Sequence, residues 1–401
     1  MQLSQHSSGN DHNGLGRAAL GILFLAFLFF LNFLSRVLFS PLLPLIKEEF
    51  LLNNAFSASL FFYISSGYFI SVSMSGFVSA KLNHANTIFT SSCLAGVVLM
   101  LATYANSFAS FCVALFALGV AAGLYLPSGL STIFSTIPQS FLARGIAIHE
   151  LAPNLGCLMA PLLWQAVSGF LTWRQCLFGV GVSLILAGLL YRFSKFPIKS
   201  KGVRPELGLV RQLFVDSSFW LLVLLFSFAI CSALGLYAML PLFLVSTHGM
   251  EIDEANYIVA ASRILCLLTP FLGGWLGDRF GNMKVMAAML IATGLITVMV
   301  GVSSGKTLIL LLTLQAMVSV AFFPSGLAVL SSFSVAGKAN VAVSFCIPFA
   351  FVIGAGVLPL LIGAIGDQTS IATGIGVTGV AIFIVGLVAL FALRSPVEGS
   401  A

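Results

Sequence analysis

Charge is the scarcest property of this 401-residue chain: Asp, Glu, Lys and Arg together make up 7% of it, against about 25% in a soluble globular domain. With 59% of residues hydrophobic, the chain cannot cover its apolar surface in water, and a bilayer is the solvent it fits. Paired cysteines are missing too. Cys93, Cys112, Cys157, Cys176, Cys231, Cys266 and Cys346 stand singly inside apolar runs with no Cys-x-x-Cys, which excludes a disulfide framework or a thiolate metal site and leaves small core residues. Between Met1 and Leu15 there is no small-residue cleavage site, and Asp11 interrupts the opening, so no cleaved signal peptide is expected and the first apolar run stays as a helix. No cofactor motif stands out. The net charge of +6 raises the question of nucleic acid, but the distribution of the cations answers to membrane topology instead.

What the chain has in abundance is long apolar runs. Twelve reach the roughly 20 residues a spanning helix needs: 18–46, 54–77, 87–104, 109–134, 146–170, 173–192, 216–246, 254–276, 285–302, 306–332, 339–365 and 370–393. An even count puts both termini on one side. Taking that side as the cytoplasm places 13 of the 18 Lys and Arg there, with only Lys47, Arg174 and Lys306 outside, as the positive-inside rule requires. Arg192, Lys195, Lys199, Lys201, Arg204 and Arg211 crowd into the longest polar segment, which divides the runs six and six. The expected organisation is a tail over 1–17, a six-helix bundle over 18–192, a cytosolic linker over 193–215, a second bundle over 216–393 and a tail over 394–401.

An internal repeat supports that division. Leu43-Pro44-Leu45 recurs as Leu240-Pro241-Leu242 and Pro127-Ser128-Gly129-Leu130 as Pro324-Ser325-Gly326-Leu327, both 197 residues on. Gly76 maps to Gly274, and Pro161-Leu162-Leu163 to Pro359-Leu360-Leu361, at 198. An offset spanning six helices makes the halves parallel repeats about an axis along the membrane normal. The fold class expected is thus an all-α polytopic membrane protein of twelve transmembrane helices in two six-helix bundles related by a parallel pseudo-two-fold repeat.

The most distinctive polar stretch is Gly274-Trp275-Leu276-Gly277-Asp278-Arg279-Phe280-Gly281-Asn282-Met283-Lys284, a tight elbow between two apolar runs. Its glycines let helix ends approach closely, and its cations mark a cytosolic loop. It resembles the loop motif of the major facilitator superfamily, Gly-x-Leu-(Ala/Ser)-Asp-Arg-x-Gly-Arg-(Arg/Lys)-(Arg/Lys), from which Gly277, Asn282 and Met283 depart. The resemblance implies alternating access between the halves, with Gly274, Gly277, Asp278, Arg279 and Gly281 as gating-loop residues. The first-half counterpart, Gly76-Phe77-Val78-Ser79-Ala80-Lys81-Leu82-Asn83, has Ala80 in place of the Asp and Asn83 in place of the last glycine. The segment Arg36 to Phe50 resembles the first helix of the anion:cation and organophosphate symporter branches, whose arginine contacts anionic substrate. Leu115 where the family often has Arg, and Ala160 and Trp164 where drug antiporters have glycines, count against a drug:proton antiporter. Trp173-Arg174 resembles a structural pair that often opens the sixth helix.

Ionisable groups in mid-bilayer each call for a reason, costing at least ~2.5–3.5 kcal/mol. Arg36, Asn32 and Ser40 are spaced by four and form one polar stripe expected to face a cavity; alternatively Arg36 snorkels or is salt-bridged. Arg263, near the middle of the eighth run, offers a second planar fork for a carboxylate or phosphate, or pairs with Glu150 or backbone carbonyls. Glu150 lies six residues past Arg144, about 9 Å deep at ~1.5 Å per residue, and with His149 is a candidate proton carrier; otherwise it is a counter-ion or a helix-end cap. Asn154, four residues on, shares its face. Tyr63, Ser66 and Tyr68 are expected to pack or bond locally, while Pro127, Pro153, Pro324, Pro348 and Pro359 mark bending points.

The reading expected is a proton-coupled carrier of a small organic anion, with Arg36, Arg263, Asn32, Ser40 and Asn154 binding substrate and Glu150 with His149 coupling protons. An exporter of a metabolite or siderophore-like compound is the rival within the class; a membrane-embedded enzyme or a non-transporting sensor are rivals outside it. His149 and Glu150 alone make a poor triad or metal site, so neither catalytic residues nor a metal are expected. The expected partners are the substrate, protons and membrane lipid but no nucleic acid, for a monomer in a bacterial inner membrane with both termini cytoplasmic.

Overall fold

In the structure, a computed structural model, residues 8–136, 141–194, 196, 200–202, 207–332 and 339–392 are described. Of the linker cations, Lys195, Lys199 and Arg204 lie outside them, as do Lys338 and the 394–401 tail. The described residues are helical apart from short connections; eleven helices are long and apolar enough to cross a membrane, twelve if one bent pair is a single span, against twelve expected. The first half holds Ala19–Glu49, Asn54–Leu82, His84–Ala102, Phe108–Thr136, Arg144–Val167 and Trp173–Phe193, numbered one to six in chain order. The seventh is Ser217–His248; the eighth is a pair, Ile252–Leu267 and Thr269–Phe280, bent by 42°; Asn282–Val302, Gly305–Ser332, Ala342–Gln368 and Ile371–Phe391 complete the set. The first helix starts at Ser8, well ahead of the apolar run, so part of the expected tail is helical.

Proline chemistry accounts for the breaks. Pro270 has no N–H for the carbonyl of Cys266 and its ring crowds that carbonyl, so the eighth span loosens to a 3₁₀ turn at Leu265–Leu267 just before it. Pro41 does the same to Val37, where the first span stops before restarting at Phe39. The seventh and eleventh spans each contain a π-helical turn, Cys231–Gly235 and Ile353–Val357, and the two face one another: a Cβ on Gly235 would lie within 3 Å of the Gly354 carbonyl.

Each half repeats one packing pattern. Spans one and five, two and four, and three and six pair in the first half; seven and eleven, eight and ten, and nine and twelve pair in the second. Small residues let these helices touch, since lipid tails give apolar side chains no reason to associate. A Cβ on Gly67 would sit under 3 Å from the Phe116 carbonyl, and one on Gly119 under 3 Å from the Ile64 carbonyl, so spans two and four meet backbone to backbone.

The halves meet through spans two and eleven, five and eight, and one and seven. Much of this contact lies at the end away from the linker. There Asp367 accepts hydrogen bonds from the Asn54 and Ala55 N–H groups at 2.7 and 2.9 Å, and Asn256 Nδ2 donates to the Pro41 carbonyl. At the linker end, Tyr125–Thr136 and Thr269–Phe280 pack within their own halves, and Ile148 and Glu150 are exposed. On that side Phe214 of the amphipathic helix Leu207–Val215 docks on Phe345 and Phe349, and Ser200 accepts from the His84 N–H.

Candidate functional site

Arg36 ends the helix that Pro41 interrupts, and its side chain is 5% exposed. The guanidinium lies over the Tyr68 ring at 4.3 Å, with Phe33 at 5.0 Å and Phe351 at 5.5 Å. No carboxylate pairs with it among the described residues, and Nε has no hydrogen-bond partner. Arg36, Phe33, Ser65, Tyr237 and Phe351 line a cavity of about 40 Å³, space for a few waters rather than a substrate.

Arg263 closes Ile252–Arg263 at the bend of the eighth span and is 2% exposed. Its Nη1 donates to the Ala233 carbonyl at 3.3 Å and its guanidinium stands 4.9 Å from the Tyr237 ring centre, while Nε and Nη2 are unpartnered. The widened π-turn frees carbonyls that an α-helix would occupy. Ser232 gives its carbonyl to Gln315 Nε2 at 2.8 Å and Ala233 gives its own to Arg263. Tyr237 joins the two arginines, lying under Arg263 and lining the Arg36 cavity; buried Cys157 is within electrostatic range of both.

One hydrogen bond locates this cluster. Ser40 Oγ donates at 2.7 Å to the Tyr237 carbonyl, 197 residues away, which is the repeat offset. A residue bonded to its own counterpart lies on the pseudo-two-fold axis. The bond exists because Pro241 has no N–H for that carbonyl. Arg36 has Ala233 as its counterpart, so both arginines converge beside the axis where the halves meet.

The expected polar stripe does not survive as one cavity-facing line. Asn32 Nδ2 donates to the Ala122 carbonyl at 3.2 Å, tying span one to span four, and Ser40 serves Tyr237; only Arg36 lines the cavity. Asn154 is half-buried one turn beyond Glu150. Glu150 itself, expected deep in the bilayer, has a side chain 47% exposed, and its Oε1 lies 3.1 Å from His149 Nδ1. It does not pair with Arg263; the only ion pairs among the described residues are His149–Glu150 and Arg174–Glu49. His149 is buried, stacked 4.5 Å from Phe29, with Nε2 3.4 Å from the Tyr125 hydroxyl. Arg174 and Trp173 both hold Glu49, a structural tie.

In the loop 274–284, a Cβ on Gly277 would strike Asn282 and Ser325, and Gly281 turns the chain at φ +91°. Its first-half counterpart Asn83 turns it at φ +67°, tolerable because its side chain accepts from the Asn86 N–H. Gly274 lies against Pro324, Asp278 is exposed, and Arg279 rests over Trp275 and Phe280. Sequence reasoning missed Tyr237, Gln315 and Phe351 and assigned Tyr68 to local packing, although the Leu-Pro-Leu repeat lies one turn past Tyr237. Pro270 was a legible signal for the break in the eighth span.

A family model described as "Major Facilitator Superfamily" matches residues 25–262 and 237–401, so the chain belongs to that family of membrane transporters. It is 29% identical over 252 residues to the uncharacterized MFS-type transporter YceJ of Bacillus subtilis (strain 168), the match covering 61% of each chain. It is 25% identical over 300 residues, 69% of each chain, to the probable sulfoacetate transporter SauU of Cupriavidus necator. Among solved structures, a bacterial homolog of the human lysosomal transporter Spinster, inward-facing and occupied, superposes with a TM-score of 0.76 at 17% identity, covering 94% of this chain and 97% of that one. That likeness concerns the fold.

Proposed function

We propose that the protein is a secondary transporter that carries a small organic anion by alternating access, with protons as the coupling ion. The observation that carries the reading is a pair of buried guanidiniums, Arg36 and Arg263, beside the axis and without a carboxylate partner. Two positive charges in low dielectric attract a negative ligand strongly, and an arginine fork matches carboxylate, sulfonate or phosphate oxygens. The similarity to a probable sulfoacetate transporter is in keeping with that class. In this reading the linker end faces the cytoplasm of a bacterial cell, the chain acts as a monomer, and Asp367 on span two shuts the outer end. The substrate enters the cleft past Glu150 and His149, which exchange the coupling proton, and reaches the arginines when the aromatic lid of Tyr68 and Phe351 parts. Uptake by proteoliposomes of radiolabelled acetate, succinate and sulfoacetate tests this under imposed pH and potential gradients. Uptake of at least one, accelerated by an inward proton gradient and lost in Arg36→Ala, is expected; uptake of none refutes the anion.

A further inference from the structure

Resting on the anion reading, we infer that the Tyr237 hydroxyl is a third substrate-binding group, and that the site selects anions whose uncharged part carries no hydrogen-bond donor. Tyr237 is 1% exposed, yet its hydroxyl has no hydrogen-bond partner. An orphaned hydroxyl in an apolar interior is costly, and here its ring lies under Arg263, whose Nε and Nη2 are orphaned as well, and lines one cavity with Arg36, whose Nε is too. These groups share one chemistry: each has a hydrogen to give. The remaining lining is Phe33, Phe61, Leu234, Ala238 and other apolar side chains, with Ser65 the one further hydroxyl and no carboxylate, amide or imidazole to accept. A ligand that completes this site presents only acceptors, a carboxylate or sulfonate on a plain hydrocarbon stem. An ammonium group would be stripped of water with only the Ser65 and Tyr237 hydroxyls to receive its protons and two guanidiniums to repel it.

Tyr237 is suited to the role because its ring and its backbone are both held. The ring carries Arg263, and the carbonyl is fixed by Ser40 of the other half, so the hydroxyl is aimed before any ligand arrives. The binding groups then come from both halves, Arg36 from one and Tyr237 with Arg263 from the other.

Matched pairs test the inference: ethanesulfonate against taurine, and succinate against aspartate, as stabilisers of the detergent-solubilised protein in thermal-shift titrations and as competitors of uptake. The ammonium-bearing member of each pair should bind at least about 100-fold more weakly, as a site rejects a group it leaves unpaired. Tyr237→Phe keeps the ring under Arg263, and its unliganded melting temperature shows whether it folds; it should weaken succinate or ethanesulfonate binding roughly 10- to 100-fold, the loss expected for one hydrogen bond to a charged ligand. If taurine and aspartate bind as well as their partners, or Tyr237→Phe binds like wild type while Arg36→Ala does not, this inference falls and the anion reading stands. If none of the four compounds binds, both fall.

Discussion

Replacing Asp367 with alanine should tilt the balance between the two open states. Asp367 ends the eleventh span, yet its carboxylate oxygens cap the second span of the other half, accepting from Asn54 N at 2.7 Å and Ala55 N at 2.9 Å. Asn53 already caps that helix through the Phe56 N–H, so Asp367 takes the donors left over. Losing a helix cap costs about 1 kcal/mol, and losing a negative charge at a helix N-terminus about 0.3–1 kcal/mol more. The total, about 1.3–2 kcal/mol, exists only while the halves touch at this end, so removing it should raise the population of the opposite state roughly 10- to 30-fold. Asp367→Asn keeps one acceptor and should show about half the effect in free energy. Spin labels at the exposed positions Leu51 and Thr369, one on each half, report the opening in pulsed dipolar distance distributions. A longer-distance population that grows in Asp367→Ala, and less in Asp367→Asn, is the expected result; distributions identical to wild type would refute the gate.

Gly67→Val should abolish folded protein, because even a Cβ there collides with the Phe116 carbonyl; monodisperse material in size-exclusion chromatography would contradict the packing. Arg263→Met should raise the melting temperature while eliminating anion binding. It removes a mid-bilayer charge costing ~2.5–3.5 kcal/mol and loses a long hydrogen bond and one ring contact together worth about 1–2 kcal/mol, a net gain of about 0.5–2.5 kcal/mol. A lower melting temperature would mean the charge is structural. Glu150→Gln should leave substrate exchange at equilibrium intact but uncouple uptake from an inward proton gradient, since the amide binds no proton at these pH values; gradient-driven uptake at the wild-type rate would exclude Glu150 as the carrier.

Some of this was legible before any coordinates because it depends on composition and local chemistry. Twelve apolar runs can satisfy their backbones in lipid only as helices, and the repeat offset of 197–198 residues related the halves without knowledge of their packing. The turn at Gly281 and its echo at Asn83 follow from which residues tolerate positive φ. Prolines likewise announce where a carbonyl will lack its donor, although the break before Pro270 went unread.

What proline cannot announce is who supplies the missing donor. That Ser40 bonds Tyr237, that Arg263 bonds the π-turn at Ala233, and that Asn32 spends its amide on Ala122 are facts of neighbouring helices, set by rotation and bend. The same holds for Glu150, whose depth along its helix was countable but whose exposure depends on how the neighbouring helices pack around it. Alone, the sequence determined that this is a two-fold repeated membrane carrier with two unexplained charges in oil. Only the tertiary structure decided that those charges meet at the axis with a tyrosine between them, because the lipid-facing and axis-facing sides of these helices are almost equally apolar and side-chain chemistry alone does not orient them.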